Sequence, residues 1–208
     1  MKMTRIALAV GALAVLGGCA ASYSSAELDK MTADMITKSF KAKGIAGVDR
    51  LKQDEINIAC SAAETVGKDL DAESRKRVEE ANMKTIKWPA DGQYFGDWKK
   101  GEAVAQSGRG STYSDKAGEA NGGNCYNCHQ ISKTELSYGT LGPSLYNYGK
   151  LRGNSEAVVK YTWGKIYNAK AYNACTNMPR FGHAGVLTEA QMKDLMALLL
   201  DPKSPINQ

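Results

Sequence analysis

The stretch Gly122–Gln130, GGNCYNCHQ, places Cys125, Cys128 and His129 within five residues. C-x-x-C-H is the attachment pattern for c-type haem. Two thiols add across the two vinyl groups of a porphyrin, and a spacer of two residues lets one turn of chain reach both. The adjacent imidazole then turns under the ring and binds iron through Nε2. On this reading Cys125 and Cys128 are the thioether anchors of one covalent haem c and His129 is the proximal ligand. Three other readings fit less well. A thioredoxin-like dithiol needs a βαβ context, and long alternating Val/Ile/Thr runs are absent. A zinc site needs a second ligand pair, and Cys60, Cys175 and His183 are scattered. A plain disulfide leaves His129 unexplained.

The surrounding sequence is consistent with an exported protein. Met1–Arg5 is a short basic segment, and Ile6–Leu16 is an apolar run too short to span a bilayer. LGGC then ends at Cys19 and resembles a bacterial lipobox, in which the cysteine is lipidated. The alternative is an ordinary signal cut later, after Ala21 or Ala26. Both readings put the mature chain in the periplasm, where disulfides persist. The five cysteines divide accordingly. Cys19 belongs to the export signal, Cys125 and Cys128 to the motif, and Cys60 and Cys175 remain as a candidate pair. Cys60 as a buried free thiol is the alternative. The net charge of +5 is modest and forms no basic stripe interleaved with aromatics, which argues against a nucleic-acid partner.

Helical patterns dominate, so an all-α fold is expected. The 208 residues suit an export signal over 1–19, a helical extension over 20–93 and a haem-bearing domain over 94–208. In the extension, Leu28, Met31 and Met35 share one face of a helix over 26–41. Ile56, Ala59, Cys60 and Ala63 share a face of a second helix, with Asp54 as its N-cap. A polar helix over about 71–86 is capped by Asp71 and ended by WPADG at 88–92. In the domain, 96–107 reads as a short helix and 108–124 as a surface loop. Ser155 caps a helix with Val159, Trp163, Ile166 and Tyr167 inward. Thr188 and Gln191 form a capping box for a last helix running to Leu200.

The sixth iron ligand is expected at Met178, 49 residues beyond His129 in the irregular stretch ACTNMPRFG, 174–182. A thioether is soft and neutral and raises the potential of the iron. His183 is the rival, and would give a bis-histidine haem. The Gly142–Pro143 turn in LGPSLYNYG, 141–149, is expected to lay a carbonyl beside His129 Nδ1 and fix the ring. A simple surface turn is the alternative. Tyr146, Tyr148 and Trp163 are candidates for lining the haem or for the core.

CxxCH, LGPSLYNYGKLRG at 141–153, YTWGKIYNAKAYNACTNMPRFG at 161–182 and a final helix together resemble class I c-type cytochromes. More narrowly they resemble the SoxX family, the small haem subunits of SoxAX complexes in thiosulfate oxidation. The resemblance spans about 94–201, and GKIYNAKAYNACTNMPRFGH is its specific part. It implies a class I cytochrome c domain with Cys125, Cys128, His129 and Met178 as haem residues. It also implies a role as the electron-transfer subunit of an L-cysteine S-thiosulfotransferase. Catalysis would lie on a larger SoxA-like haem subunit, where thiosulfate is oxidatively joined to a cysteine of a SoxYZ-like carrier protein. This chain would pass the released electrons to a downstream cytochrome. A free-standing exported electron carrier is the alternative. The resemblance says little about 26–90.

Overall fold

A computed structural model describes residues 23–208. It is helical, with no β-strand among the described residues beyond an isolated bridge between Lys43 and Ala46. The all-α expectation therefore holds. The segment read from sequence as an export signal, 1–19, with Cys19, lies outside the described residues. The chain divides into two compact units, Met1–Lys41 and Ala42–Gln208. Residues 42–93, read from sequence as part of an extension, fall in the same unit as 94–208.

In the first unit, helix α1 (Ser25–Ser39) starts at a capping box. The Ser24 side chain accepts from the Glu27 amide, and the Glu27 carboxylate accepts from the Ser24 amide. Leu28, Met31 and Met35 are all exposed on it.

The second unit begins with α2 (Glu55–Thr65) and α3 (Ala72–Met83), capped by Asp54 and Asp71 as the sequence predicts. Neither helix has an apolar core face of its own: α2 buries no residue fully and α3 only Asn82. What attaches α3 is polar. Asn168 Nδ2 donates to Asn82 Oδ1 and to Thr85 Oγ1, both at 2.9 Å. The connection after α3 is tied down as well. Trp163 Nε1 donates to the Lys87 carbonyl at 2.9 Å, and Tyr94 packs edge-on to the Trp163 ring.

The core is built from α4 (Trp98–Gln106), α5 (Tyr148–Arg152), α6 (Glu156–Tyr167) and α7 (Glu189–Leu200). Met192, Leu195, Met196 and Leu199 on α7 are buried, with Val159, Trp163, Ile166 and Tyr167 on α6. These are the inward positions read from periodicity. The α4–α7 crossing is close because of Gly101, where a Cβ would lie 2.2 Å from the Asp194 carbonyl oxygen. Trp163 is 1% exposed, so its truncation to Ala would remove about 3–5 kcal/mol. The last helix stops at Asp201 before Pro202, and a 3₁₀ turn, Pro205–Asn207, folds back so that Ile206 completes the core.

Candidate functional site

The C-x-x-C-H motif sits on a single turn. Asn124 adopts a left-handed conformation (φ 50°, ψ 36°) and directs the chain into a 3₁₀ turn, Cys125–Asn127. The Cys125 carbonyl then accepts from both the Cys128 and the His129 amides, at 3.1 and 2.9 Å. Cys125 packs against the apolar core, while Cys128 is half-buried. Neither thiol is bonded to another cysteine among the described residues. Burial pushes the Cys125 thiol up to about 12. A free thiol there stays protonated at neutral pH and is a poor nucleophile, unlike the leading cysteine of a redox dithiol.

The stretch after the motif closes over it. The Gly139, Gly142 and Leu145 amides donate to the carbonyls of Tyr126, Cys128 and Gln130 at 2.8, 2.8 and 2.7 Å. This lays Gly142–Pro143 against the imidazole. His129 Nδ1 lies 2.7 Å from the Pro143 carbonyl oxygen, the contact expected from the Gly-Pro turn. A carbonyl only accepts, so the neutral ring carries its proton on Nδ1 and keeps a lone pair on Nε2. Gly142 has to be glycine here, because a Cβ would lie 2.2 Å from His129 Cε1.

Below the motif, Glu102 on α4 accepts from the Tyr126 hydroxyl at 2.8 Å. Its other oxygen is buried with no partner among the described residues. Burial first, and then Glu102, push the Tyr126 hydroxyl above its ordinary range. Sequence reading did not single out Glu102. Its only signal was position on a short amphipathic helix, which any solvated glutamate shares.

Met178 sits in an irregular loop, half-buried, and packs against the same apolar cluster as Cys125. Its amide donates to Thr176 Oγ1 at 3.2 Å. Phe181 is buried, and its carbonyl accepts from Val186 and Leu187. His183 is exposed, and its amide donates to the Tyr167 carbonyl at 3.0 Å. Partial burial, then nearby Arg180, keep its ring below the ordinary histidine value. Tyr146 and Tyr148 are half-buried. The Tyr148 hydroxyl meets Thr162 Oγ1 at 2.9 Å, which is a core role.

Cys60 and Cys175 are joined as a disulfide, with Cα atoms 5.5 Å apart across a sequence separation of 115. A second tie from α2 was not read from sequence: Arg180 Nη2 lies 2.6 Å from Asp54 Oδ2. Spacing alone could not pair residues 126 positions apart. Among the described residues, no three His, Cys, Asp or Glu side chains converge as they would around a metal ion, so the zinc alternative lacks a ligand set there. No helix among them is long and apolar enough to cross a membrane.

No family model matches the chain. An "Uncharacterized lipoprotein" of Aquifex aeolicus (strain VF5) is 41% identical over 126 residues, covering 60% of this chain and 59% of that protein. The chain thus spans about three fifths of the length of the curated relative it matches.

Proposed function

We propose that the chain is an exported class I c-type cytochrome that carries one haem c and relays electrons. Cys125 and Cys128 would hold the haem, with His129 and Met178 as axial ligands. The observation that carries this reading is the 2.7 Å contact from His129 Nδ1 to the Pro143 carbonyl, which leaves Nε2 free to bind iron. The rest of the donor set fits the group. Two thiols on one turn have no partner cysteine among the described residues, and a thioether packs on the same apolar cluster as the first thiol. A haem held by these residues would supply one-electron transfer. The chain's own residues would anchor it and orient the imidazole.

Within that class, the resemblance over 94–201 favours the small subunit of a SoxAX-like L-cysteine S-thiosulfotransferase. Thiosulfate conjugation would then take place on a SoxA-like partner acting on a SoxYZ-like carrier, with a downstream cytochrome as acceptor. The Aquifex relative is named a lipoprotein. That name, together with LGGC at 16–19, supports a periplasmic chain anchored through lipidated Cys19.

Production in a periplasm with haem-attachment machinery tests the first level. The intact mass should rise by one haem, and Cys128→Ser should weaken or abolish attachment. The oxidised protein should show the weak far-red band of a methionine–iron bond, and Met178→Ala should remove it. A spectrum unchanged by Met178→Ala would transfer the ligand to His183. For the second level, a haem-bearing larger subunit should co-purify and thiosulfate should reduce the haem in the reconstituted mixture. A monodisperse monomer with no thiosulfate-dependent reduction would favour the free-standing carrier instead.

A further inference from the structure

We propose that α2 is a clamp on the loop bearing Met178, and that Asp54 and Arg180 are positioning residues for its thioether. The thioether part rests on the reading of Met178 as an axial ligand. The loop is short of its own ties. From Cys175 to Arg180, its backbone hydrogen bonds among the described residues are local: Thr176 to Asn173, Met178 to Thr176, and Ala184 to Arg180. Side-chain ties from one helix flank Met178 on both sides. Three residues before it, Cys175 is covalently joined to Cys60. Two residues after it, Arg180 is paired with Asp54, the residue that caps the same helix.

The near end is reinforced from beneath. The Ala174 amide donates to Glu79 Oε1 on α3 at 3.2 Å, and its carbonyl accepts from Lys170 Nζ at 3.0 Å. Lys170 is 5% exposed, so this ammonium is spent inside the structure. Beyond the loop, Phe181 is buried and the Gly182 and His183 amides donate to the Tyr167 carbonyl at 3.1 and 3.0 Å. The Asp54–Arg180 pair adds a tie nearer to Met178, and Pro179 between the disulfide and the ion pair restricts the backbone further. A loop held at both ends within six residues has few ways to carry Met178 away from the core cluster it packs against.

Asp54→Asn isolates the pair, because Asn caps a helix as well as Asp does. The probe is imidazole, added to the oxidised haem-loaded protein. It can bind iron only when the methionine is displaced, so its apparent affinity scales with the fraction of protein whose loop is open. Asp54→Asn and Arg180→Gln should each tighten imidazole binding about tenfold, equivalent to about 1.4 kcal/mol. Arg180→Lys, which keeps the charge, should stay near wild type. Asp91→Asn, which breaks an exposed pair with Lys193, should also change nothing. Hydrogen exchange over 176–181 gives a readout independent of the iron, and should quicken about tenfold in Asp54→Asn. Exchange at the wild-type rate overturns the clamp. Faster exchange with unchanged imidazole affinity overturns the positioning role. A Met178→Ala protein with an unaltered spectrum overturns the ligand reading instead, while the exchange data still decide whether α2 holds the loop.

Discussion

Gly142 shapes the motif together with Cys125, Cys128 and His129. Its missing side chain lets the Gly142–Pro143 backbone reach His129, and a methyl group there would lie 2.2 Å from Cε1. Gly142→Ala should therefore push the imidazole off the Pro143 carbonyl. We expect a loss of about 1–3 kcal/mol in denaturant unfolding, the range for overpacking, together with a lower yield of haem-loaded protein. Asp54 makes a prediction in pH. Burial opposes its ionisation, but the Asn57 amide, the Arg180 guanidinium and the more distant Lys170 ammonium outweigh it and hold the carboxyl below its ordinary value of 3.8. The unfolded chain thus binds the proton more readily than the folded one. The contribution is fully present above pH 3.8 and is lost as the pH falls through the lower folded value. The stability gap between wild type and Asp54→Asn should be constant near neutrality and close on acidification, as followed by urea titration at each pH.

At the scale of elements, α2 and α3 show how segments with little apolar burial still hold a position. Their attachments are a disulfide, an ion pair and hydrogen bonds from buried Asn168, rather than a packed apolar face. Such a helix depends on its covalent tie. The Cys60–Cys175 bridge closes a loop of more than a hundred residues, which constrains the unfolded chain strongly. Replacing both cysteines by Ser should cost about 3–5 kcal/mol, measured by denaturation of the oxidised protein. Wild type in reductant should fall to the level of the double variant. By contrast α7, with Leu195, Met196 and Leu198 nearly inaccessible, should resist exchange as long as the unit stays folded.

For the whole molecule, the proposed export and the proposed clamp point to one setting. Disulfides persist chiefly in oxidising compartments, which is also where c-type haem is attached in the reading above. If Cys19 is the lipid site, Cys19→Ala should move the protein from the membrane fraction to the soluble fraction, and the wild type should take up labelled fatty acid. An unchanged distribution would indicate an ordinary signal cut after Ala21 or Ala26.

Much of this protein is written locally. The C-x-x-C-H turn, the inward faces of α6 and α7, the caps at Asp54, Asp71, Ser155 and Thr188 and the Gly-Pro contact all follow from residues within about one or two turns of each other, or from a short return of the chain. Cysteine arithmetic in an oxidising compartment reached one long-range fact, the Cys60–Cys175 pair, because few thiols were left to choose from. The Asp54–Arg180 pair, the unpartnered Glu102 oxygen beneath the motif and the buried Lys170 ammonium had no such shortcut. Charged residues are abundant, and nothing in the chain's order marks which of them meet. Only the packing of α2 on the loop beyond α6 brings Asp54 to Arg180, as only the packing of α4 on the motif brings Glu102 to Tyr126.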